Sequence, residues 1–322
     1  MKMLTENRRN GYLALATFAV VLLISLGYLL AVGAGADPAN PRADFWRMVR
    51  QGLPGYTAVS SAGHSVLIQN GGENWREIRN LLLINLSPWI LGLAIGAMGL
   101  FHLVIGGDRL KEPRSGVMIP RYSLFDRLLH WYTAVLFLLL AVTGLSLLFG
   151  RSALIPVLGH AGGSSYLAFA KLLHNFCGPL FLVGVVLEFV LWSRQNIIHM
   201  SDLRWLKNMG GMIGSKAHVP CGKINGGEKM WYWVVVIFGT AVGISGVLLD
   251  FPIWGQSRYL MQVAHVLHTA LAVLFVTASF GHMYMGTLGS EGAFDGMWKG
   301  EVDASWAKQH ADLWYEEVSG KE

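Results

Sequence analysis

The sequence predicts an all-α integral membrane protein. A four-helix core is preceded by one extra transmembrane helix, and by a further apolar block that is either a second extra helix or a cleaved signal. Three observations lead there. The chain of 322 residues is 53% apolar and only 14% charged, less charge than a soluble protein of this length carries. Its mean hydropathy is +0.44. The apolar residues also fall in long blocks, several of them sufficient to cross a ~30 Å hydrocarbon core. Such blocks must be helical, because lipid offers no partner to a bare backbone N–H or C=O.

In chain order, the first block is Gly11–Ala34. Lys2, Arg8 and Arg9 precede it, and Ala34-Gly35-Ala36 follows it like a signal-peptidase site. The run is longer than a usual signal core, so residues 1–36 read as a retained helix or a signal segment. Both readings put residues 37–80 on the periplasmic side. That segment is rich in turn formers (Pro38, Pro41, Pro54, Gly55, Gly71, Gly72). Phe45–Arg50 reads as a short helix, and the alternation of Thr57, Val59, Val66 and Ile68 as a small hairpin within Gly55–Asn80. It is too short for a sizeable core of its own. Leu81–Ile105 is the extra membrane helix, in a unit of residues 81–110. The core, residues 111–290, holds Leu128–Phe149, Leu172–Trp192, Met230–Phe251 and Val263–Met285. The tail, residues 291–322, sets Trp298, Trp306, Trp314 and Tyr315 among charges. It is expected along the membrane face or under a neighbouring loop.

Charge sets the orientation. Loop 106–127 carries Arg109, Lys111, Arg114, Arg121 and Arg127, and loop 194–229 carries Arg194, Arg204, Lys207, Lys216, Lys223 and Lys229. The alternate loops hold Arg151 with Lys171, and Arg258. Positive loops stay inside. The chain is therefore expected to be multi-pass, with both basic loops and the C-terminus cytoplasmic. The same rule explains the net charge of +5 and leaves no reason to invoke nucleic acid. The two cysteines, Cys177 near the outer face and Cys221 in a cytoplasmic loop, are too far apart for a disulfide. No C-x-x-C-H stretch exists for covalent c-type haem, and two cysteines cannot hold a four-Cys iron–sulfur cluster.

Four histidines sit at the ends of these helices: His130, His174, His268 and His282. Neutral imidazole is a normal axial ligand of haem iron, and a membrane helix seldom carries a histidine without a reason. His268 and His282 lie fourteen residues apart on one helix, which is roughly 21 Å of rise and almost four full turns. Both rings then face one way, one near each side of the bilayer. Chain direction puts His174 and His268 on the outer side, and His130 and His282 on the inner side. These are the natural pairs for two b-type haems, each bridging two helices, with the four histidines as iron ligands. The alternative is four unrelated helix-end histidines in packed or hydrogen-bonded roles. Gly144, fourteen residues after His130, would let a porphyrin edge approach the backbone at the outer depth; ordinary helix packing is the other use of a glycine there.

Other polar residues follow. His265 lies one turn before His268, placed for a haem propionate or the interface, and His102 is a weak rival ligand. His64, His160, His199, His218 and His310 fall in loops or the tail, where solvation is the default. Asn225 stands in the turn Gly222-Lys223-Ile224-Asn225-Gly226-Gly227-Glu228-Lys229. From the residues alone it is a helix cap; its amide can also donate to and accept from a quinone oxygen. Glu188 lies fourteen residues after His174, on the same face at the inner depth. It is a candidate proton relay to a quinone, against the alternatives of reaching the interface or pairing with a basic loop residue.

The residues Phe125-Asp126-Arg127-Leu128-Leu129-His130-Trp131, Lys171-Leu172-Leu173-His174-Asn175, Gly222 to Lys229, Leu267-His268, His282-Met283-Tyr284-Met285 and Gly300 to Trp314 form a recognisable set. Together they resemble the gamma subunit of membrane-bound respiratory formate dehydrogenase, a di-haem b-type cytochrome. The resemblance covers roughly residues 120–316; residues 1–110 look like the longer bacterial version. It implies His174 and His268 on a periplasmic haem, His130 and His282 on a cytoplasmic haem, and Asn225 beside a membrane quinone. It also implies two partners, an iron–sulfur beta subunit and a catalytic subunit with a molybdenum or tungsten pterin that oxidises formate. Glu228 departs from the family, which often has Gln there, and adds charge near the quinone loop. A nickel–iron hydrogenase cytochrome b subunit is the alternative of the same class. A haem-free membrane anchor or transporter is the alternative of another.

Overall fold

The computed structural model describes residues 70–212 and 219–320. The block Gly11–Ala34, the short helix Phe45–Arg50, the residues of the expected hairpin, His64 and His218 lie outside the described residues. The described end of the segment expected to be periplasmic is helical, α1 (Asn70–Glu77). A π-helical turn at Ile78–Leu83 carries it into α2 (Ile84–Ile105), the extra membrane helix.

The core comprises α3 (Leu124–Phe149), α4 (Ile155–Trp192), α6 (Gly226–Asp250) and α7 (Arg258–Tyr284). A short α5 (Met200–Lys207) lies in the loop between α4 and α6. Each core helix begins before its apolar block, and for all but α4 the reason is capping. Ser123 accepts from the Asp126 N–H while Asp126 accepts from the Ser123 N–H. Asn225 and Glu228 repeat this box at α6, and the Ser257 hydroxyl accepts from Leu260 N at α7. Each cap satisfies amides that the first turn leaves without an intrahelical partner. Hydropathy sees the lipid-length stretch but not these polar first turns.

α3 runs through a π-helical turn at Gly150–Leu154 into α4, and the chain doubles back around Gly159, whose φ of +72° suits glycine. The outer loop expected at 150–171 is therefore largely helical, an extension of α4. The two helices are antiparallel: the Tyr132 hydroxyl donates to Leu180 O at 2.9 Å, and Thr143 meets His174 further along α3. α4 also packs on α6, and α6 on α7.

α2 leans only on this bundle's edge. Among its residues only Ser87 is buried, while Trp89, Leu93 and Leu103 face outward. An apolar helix with an apolar exterior is one that meets lipid. Its hold on α7 is polar at the end, where His102 Nδ1 lies 3.0 Å from the Tyr284 hydroxyl. α1 adds Trp75, whose indole N–H donates to His265 Nδ1 at 3.4 Å.

One end of the bundle carries the two basic loops and the tail; we call it the basic end, and the opposite one the far end. The tail does not lie free along the membrane. It forms α8 (Ala293–Lys299), α9 (Ala304–His310) and α10 (Asp312–Ser319) and packs beneath the 106–123 loop. Strand β1 (Met118–Pro120) from that loop pairs antiparallel with β2 (Glu301–Asp303) from the tail, Met118 opposite Asp303. Val302, Trp306, Ala307 and Trp314 form a small core with Leu110 and Ile119. The Asp303 carboxylate ties the ribbon: it accepts from Ser115 N and Oγ, Gly116 N and Ser305 N at 2.8–3.0 Å. Burial by itself would raise its pKa, but these hydrogen bonds outweigh it and hold the carboxyl at about 2. His310, expected to be solvated, instead packs on Trp306 with Asp108 Oδ2 at 3.6 Å. Both cysteines are free thiols: Cys177 lies in the bundle core, and Cys221 donates to His310 O.

Candidate functional site

The core helices share a seven-residue register. On α3 it runs His130, Phe137, Gly144; on α4 His174, Phe181, Glu188; on α6 Trp231, Phe238, Ser245; on α7 His268, Phe275, His282. Seven residues are just under two helical turns, so each set lies along one face with a rise of roughly 10 Å per step. The result is three layers.

The middle layer is four phenylalanines. Phe275 sits 4.7 Å from Phe137 and 6.3 Å from both Phe181 and Phe238, centroid to centroid. Phe181 and Phe275 are 3% exposed, which makes this layer the bundle's dry centre. The tilted ring pairs are the geometry that aromatic quadrupoles favour over a face-to-face sandwich.

The far-end layer brings His174 and His268 together, centroids 6.1 Å apart and rings 79° to one another. Each ring is held in the same way by a neighbouring helix. His174 Nδ1 lies 2.9 Å from the Thr143 hydroxyl, with the Leu140 carbonyl as a second partner. His268 Nδ1 lies 3.2 Å from the Ser245 hydroxyl and 3.0 Å from Val242 O. In both cases the carbonyl belongs to the residue three before the hydroxyl. The residue after each hydroxyl is a glycine. A Cβ at Gly144 would stand 3.0 Å from His174 Cε1, and one at Gly246 3.1 Å from His268 Cε1. Gly144 therefore admits the flat imidazole of His174 close to its backbone.

The basic-end layer pairs His130 with His282, centroids 6.2 Å apart. Its supports differ. His282 stacks on Trp231 at 4.7 Å and 10°. His130 meets Trp131 edge-on at 5.2 Å, and its Nδ1 is buried without a hydrogen bond among the described residues. Glu188 completes the layer. It is buried away from the surface and, among the described residues, has no loop cation paired with it; its carboxyl is hydrogen-bonded to the Thr133 hydroxyl. Next to it, the Tyr232 hydroxyl donates to Phe189 O at 3.3 Å.

Asn225 caps α6, six residues before Trp231, which is roughly 9 Å along the axis. Its Oδ1 accepts from Glu228 N at 2.9 Å, so the amide NH₂ remains for other partners. The extra charge of Glu228 is matched by Arg121, which donates to its carboxylate at 2.9 Å and to Lys223 O at 2.7 Å. A buried pair, Lys229 with Asp202 at 2.8 Å, fixes the next turn to α5.

The arrangement suits two iron porphyrins by its donor chemistry. In each pair the two rings come from different helices, with centroids 6.1 and 6.2 Å apart. At the far end the Nδ1 edges are engaged by acceptors, which leaves the Nε2 edges as lone-pair donors, the pattern found for haem and metal histidines. The structure brings the four sequence-predicted histidines together in two pairs, and adds Thr143, Ser245, Gly246, Trp231 and the phenylalanine layer, which the sequence reading did not include. A signal for several of them was present, as two hydroxyl–glycine dipeptides and as Phe137, Phe181 and Phe275, each seven residues from a histidine.

An all-helical membrane bundle with such histidine pairs is the frame of a b-type cytochrome. Residues 121–300 match the family of prokaryotic cytochrome b561. The chain is 30% identical over 203 residues to the formate dehydrogenase cytochrome b556(fdo) subunit of Escherichia coli strain K12, covering 62% of this chain and 93% of that protein. It is 30% identical over 210 residues to the nitrate-inducible formate dehydrogenase cytochrome b556(Fdn) subunit of the same strain, 64% of this chain and 94% of that one. To the formate dehydrogenase cytochrome b556 subunit of Haemophilus influenzae it is 28% identical over 220 residues, 65% and 88%. The chain belongs to the prokaryotic cytochrome b561 family and, within it, to the gamma, cytochrome b, subunits of formate dehydrogenase.

Proposed function

We propose that this chain is the electron-transfer and quinone-reducing subunit of a respiratory formate dehydrogenase in a bacterial inner membrane. His174 and His268 hold one haem b, and His130 and His282 hold a second. When bound, each haem supplies a one-electron iron couple. The observation that carries the reading is the pair of histidine layers, 6.1 and 6.2 Å between centroids, one on each side of the phenylalanine layer. The far end faces the periplasm, following the charge bias of the loops, and receives electrons from an iron–sulfur beta subunit. That subunit is fed by a molybdenum or tungsten pterin subunit where formate is oxidised.

The chain's own residues then have distinct tasks. The far-end hydroxyls and glycines orient two imidazoles. The four phenylalanines keep water out of the space between the layers. Asn225, at the cytoplasmic end, presents its amide to the quinone oxygen while its Oδ1 holds the cap. Glu188, buried in the basic-end layer, relays protons toward the reduced quinone. Quinone reduction there takes protons from the cytoplasm while formate oxidation releases them outside, so a proton-motive force arises without pumping.

The test is the complex purified in mild detergent with its partners identified. Formate should reduce a b-type spectrum, and a quinone analogue should reoxidise it. Assembled protein without a b-type band, or one that formate leaves oxidised, contradicts the reading.

A further inference from the structure

We infer that Thr143 and Ser245 are positioning residues that lower the redox potential of the far-end haem relative to the basic-end haem. The inference rests on the proposed ligation above and adds to it a role for these two hydroxyls.

The Thr143 hydroxyl donates to Leu139 O at 2.7 Å, and the Ser245 hydroxyl donates to Ala241 O at 2.7 Å. A hydroxyl has one proton, so each oxygen then faces its histidine only as an acceptor. The second partners, Leu140 O and Val242 O, are carbonyls and accept only. Both far-end imidazoles must therefore carry their proton on Nδ1, with the Nε2 lone pair free for iron. An Nδ1–H that donates to strong acceptors makes its ring a more electron-rich ligand. Electron-rich axial ligands stabilise the ferric state and so lower the potential.

The basic-end pair lacks this device. His130 Nδ1 is buried with no hydrogen-bond partner, and the support of His282 is a stacked indole, an apolar contact. The two layers thus differ in the hydrogen bonding of the imidazoles, a feature that tunes an axial histidine from outside. With electrons arriving at the far end, the twin hydroxyls make the onward transfer to the basic-end pair downhill. The repetition argues against accident. Two helices that are not neighbours in sequence present the same device: a carbonyl, a hydroxyl three residues on, and a glycine that lets the ring sit close.

The experiment is an anaerobic optical redox titration of the purified complex. It compares the unaltered chain with Thr143→Val, Ser245→Ala and the conservative Thr143→Ser, and haem is counted in each. Two haems per chain are required at the outset; fewer in the unaltered protein would refute the ligation reading itself. The expected result is that Thr143→Val and Ser245→Ala each shift one transition to higher potential and leave the other in place. Thr143→Ser should restore the original value. Both haems retained at unchanged potentials, or both transitions shifting alike, would overturn the inference. So would a far-end haem lost from Thr143→Ser as readily as from Thr143→Val, because the hydroxyl would then not be the operative group.

Discussion

The two histidine layers are near copies in spacing and opposites in support. At the far end, each imidazole is bonded through Nδ1 and fitted against a glycine. At the basic end, one imidazole is stacked on Trp231 and the other has a buried Nδ1 with no partner, while a carboxyl group, Glu188, occupies the fourth corner. The difference matches the proposed work of each end. The far end needs a fixed donor and acceptor of electrons and nothing else. The basic end must also deliver protons and admit a quinone, and there the polar groups are an acid and a helix-capping amide rather than clamps on the rings.

The strongest way to break this comparison is to remove one ligand from each layer. His268→Ala should lose the far-end haem, and His282→Ala the basic-end haem. Each variant should retain one haem per chain, read by extraction and optical spectroscopy. In the first variant formate should no longer reduce the remaining haem; in the second the far-end haem should still be reduced. Two haems in either variant would mean the pairs are wrongly drawn.

Next in size is the layer between them. Phe275 touches Phe137, Phe181 and Phe238, and is buried. Phe275→Ala should cost about 3–5 kcal/mol through lost burial and a residual cavity, read as a large fall in thermal stability in detergent. A loss near zero would show that the layer is loosely packed and does not separate the two ends.

Much of this was legible in the sequence. Block length and loop charge were enough for the membrane helices, because the bilayer imposes both. The four histidines stood out because imidazoles are scarce in such helices, and helical rise sorted them into pairs. What was not legible depends on which faces meet. Thr143 and Ser245 look like ordinary small residues until α3 and α6 are seen beside the two rings. His310 looked solvated, and only the ribbon that Asp303 makes with the 106–123 loop buries it. The helical extension across residues 160–171 escaped because hydropathy marks where lipid is, not where a helix stops. Of the Glu188 alternatives, burial against Thr133 keeps the carboxyl from the interface, and no cation among the described residues pairs with it.

Smaller effects sharpen the basic end. Asn225→Ala should slow quinone turnover several-fold, in line with a net hydrogen bond of about 1 kcal/mol, while formate still reduces both haems. Asn225→Ser keeps a capping oxygen and removes the amide. If it restores turnover, Asn225 is only a cap. Glu188→Gln keeps the shape and removes the charge. It should change how quinone turnover varies between mildly acidic and mildly basic pH, with both haems present. An unchanged profile would end the relay.

The smallest effect concerns the tail. The folded pKa of Asp303, about 2, lies below its ordinary value of 3.8. Its contribution is therefore fully present above pH ~4 and is lost as pH falls through about 2. Acidification across that window should loosen the ribbon between the tail and the 106–123 loop, followed by hydrogen exchange at residues 301–303. Asp303→Asn should abolish this step. A step that persists in Asp303→Asn would trace it to another carboxylate.

The central claim is that two histidine layers, one on each side of four phenylalanines, each hold a haem. It is tested most directly by counting non-covalent haem in the purified chain against protein mass, with a spectrum of the reduced form. The account predicts two b haems per chain, both showing the low-spin bands of two axial histidines. One haem per chain, or a high-spin spectrum at either site, would contradict it.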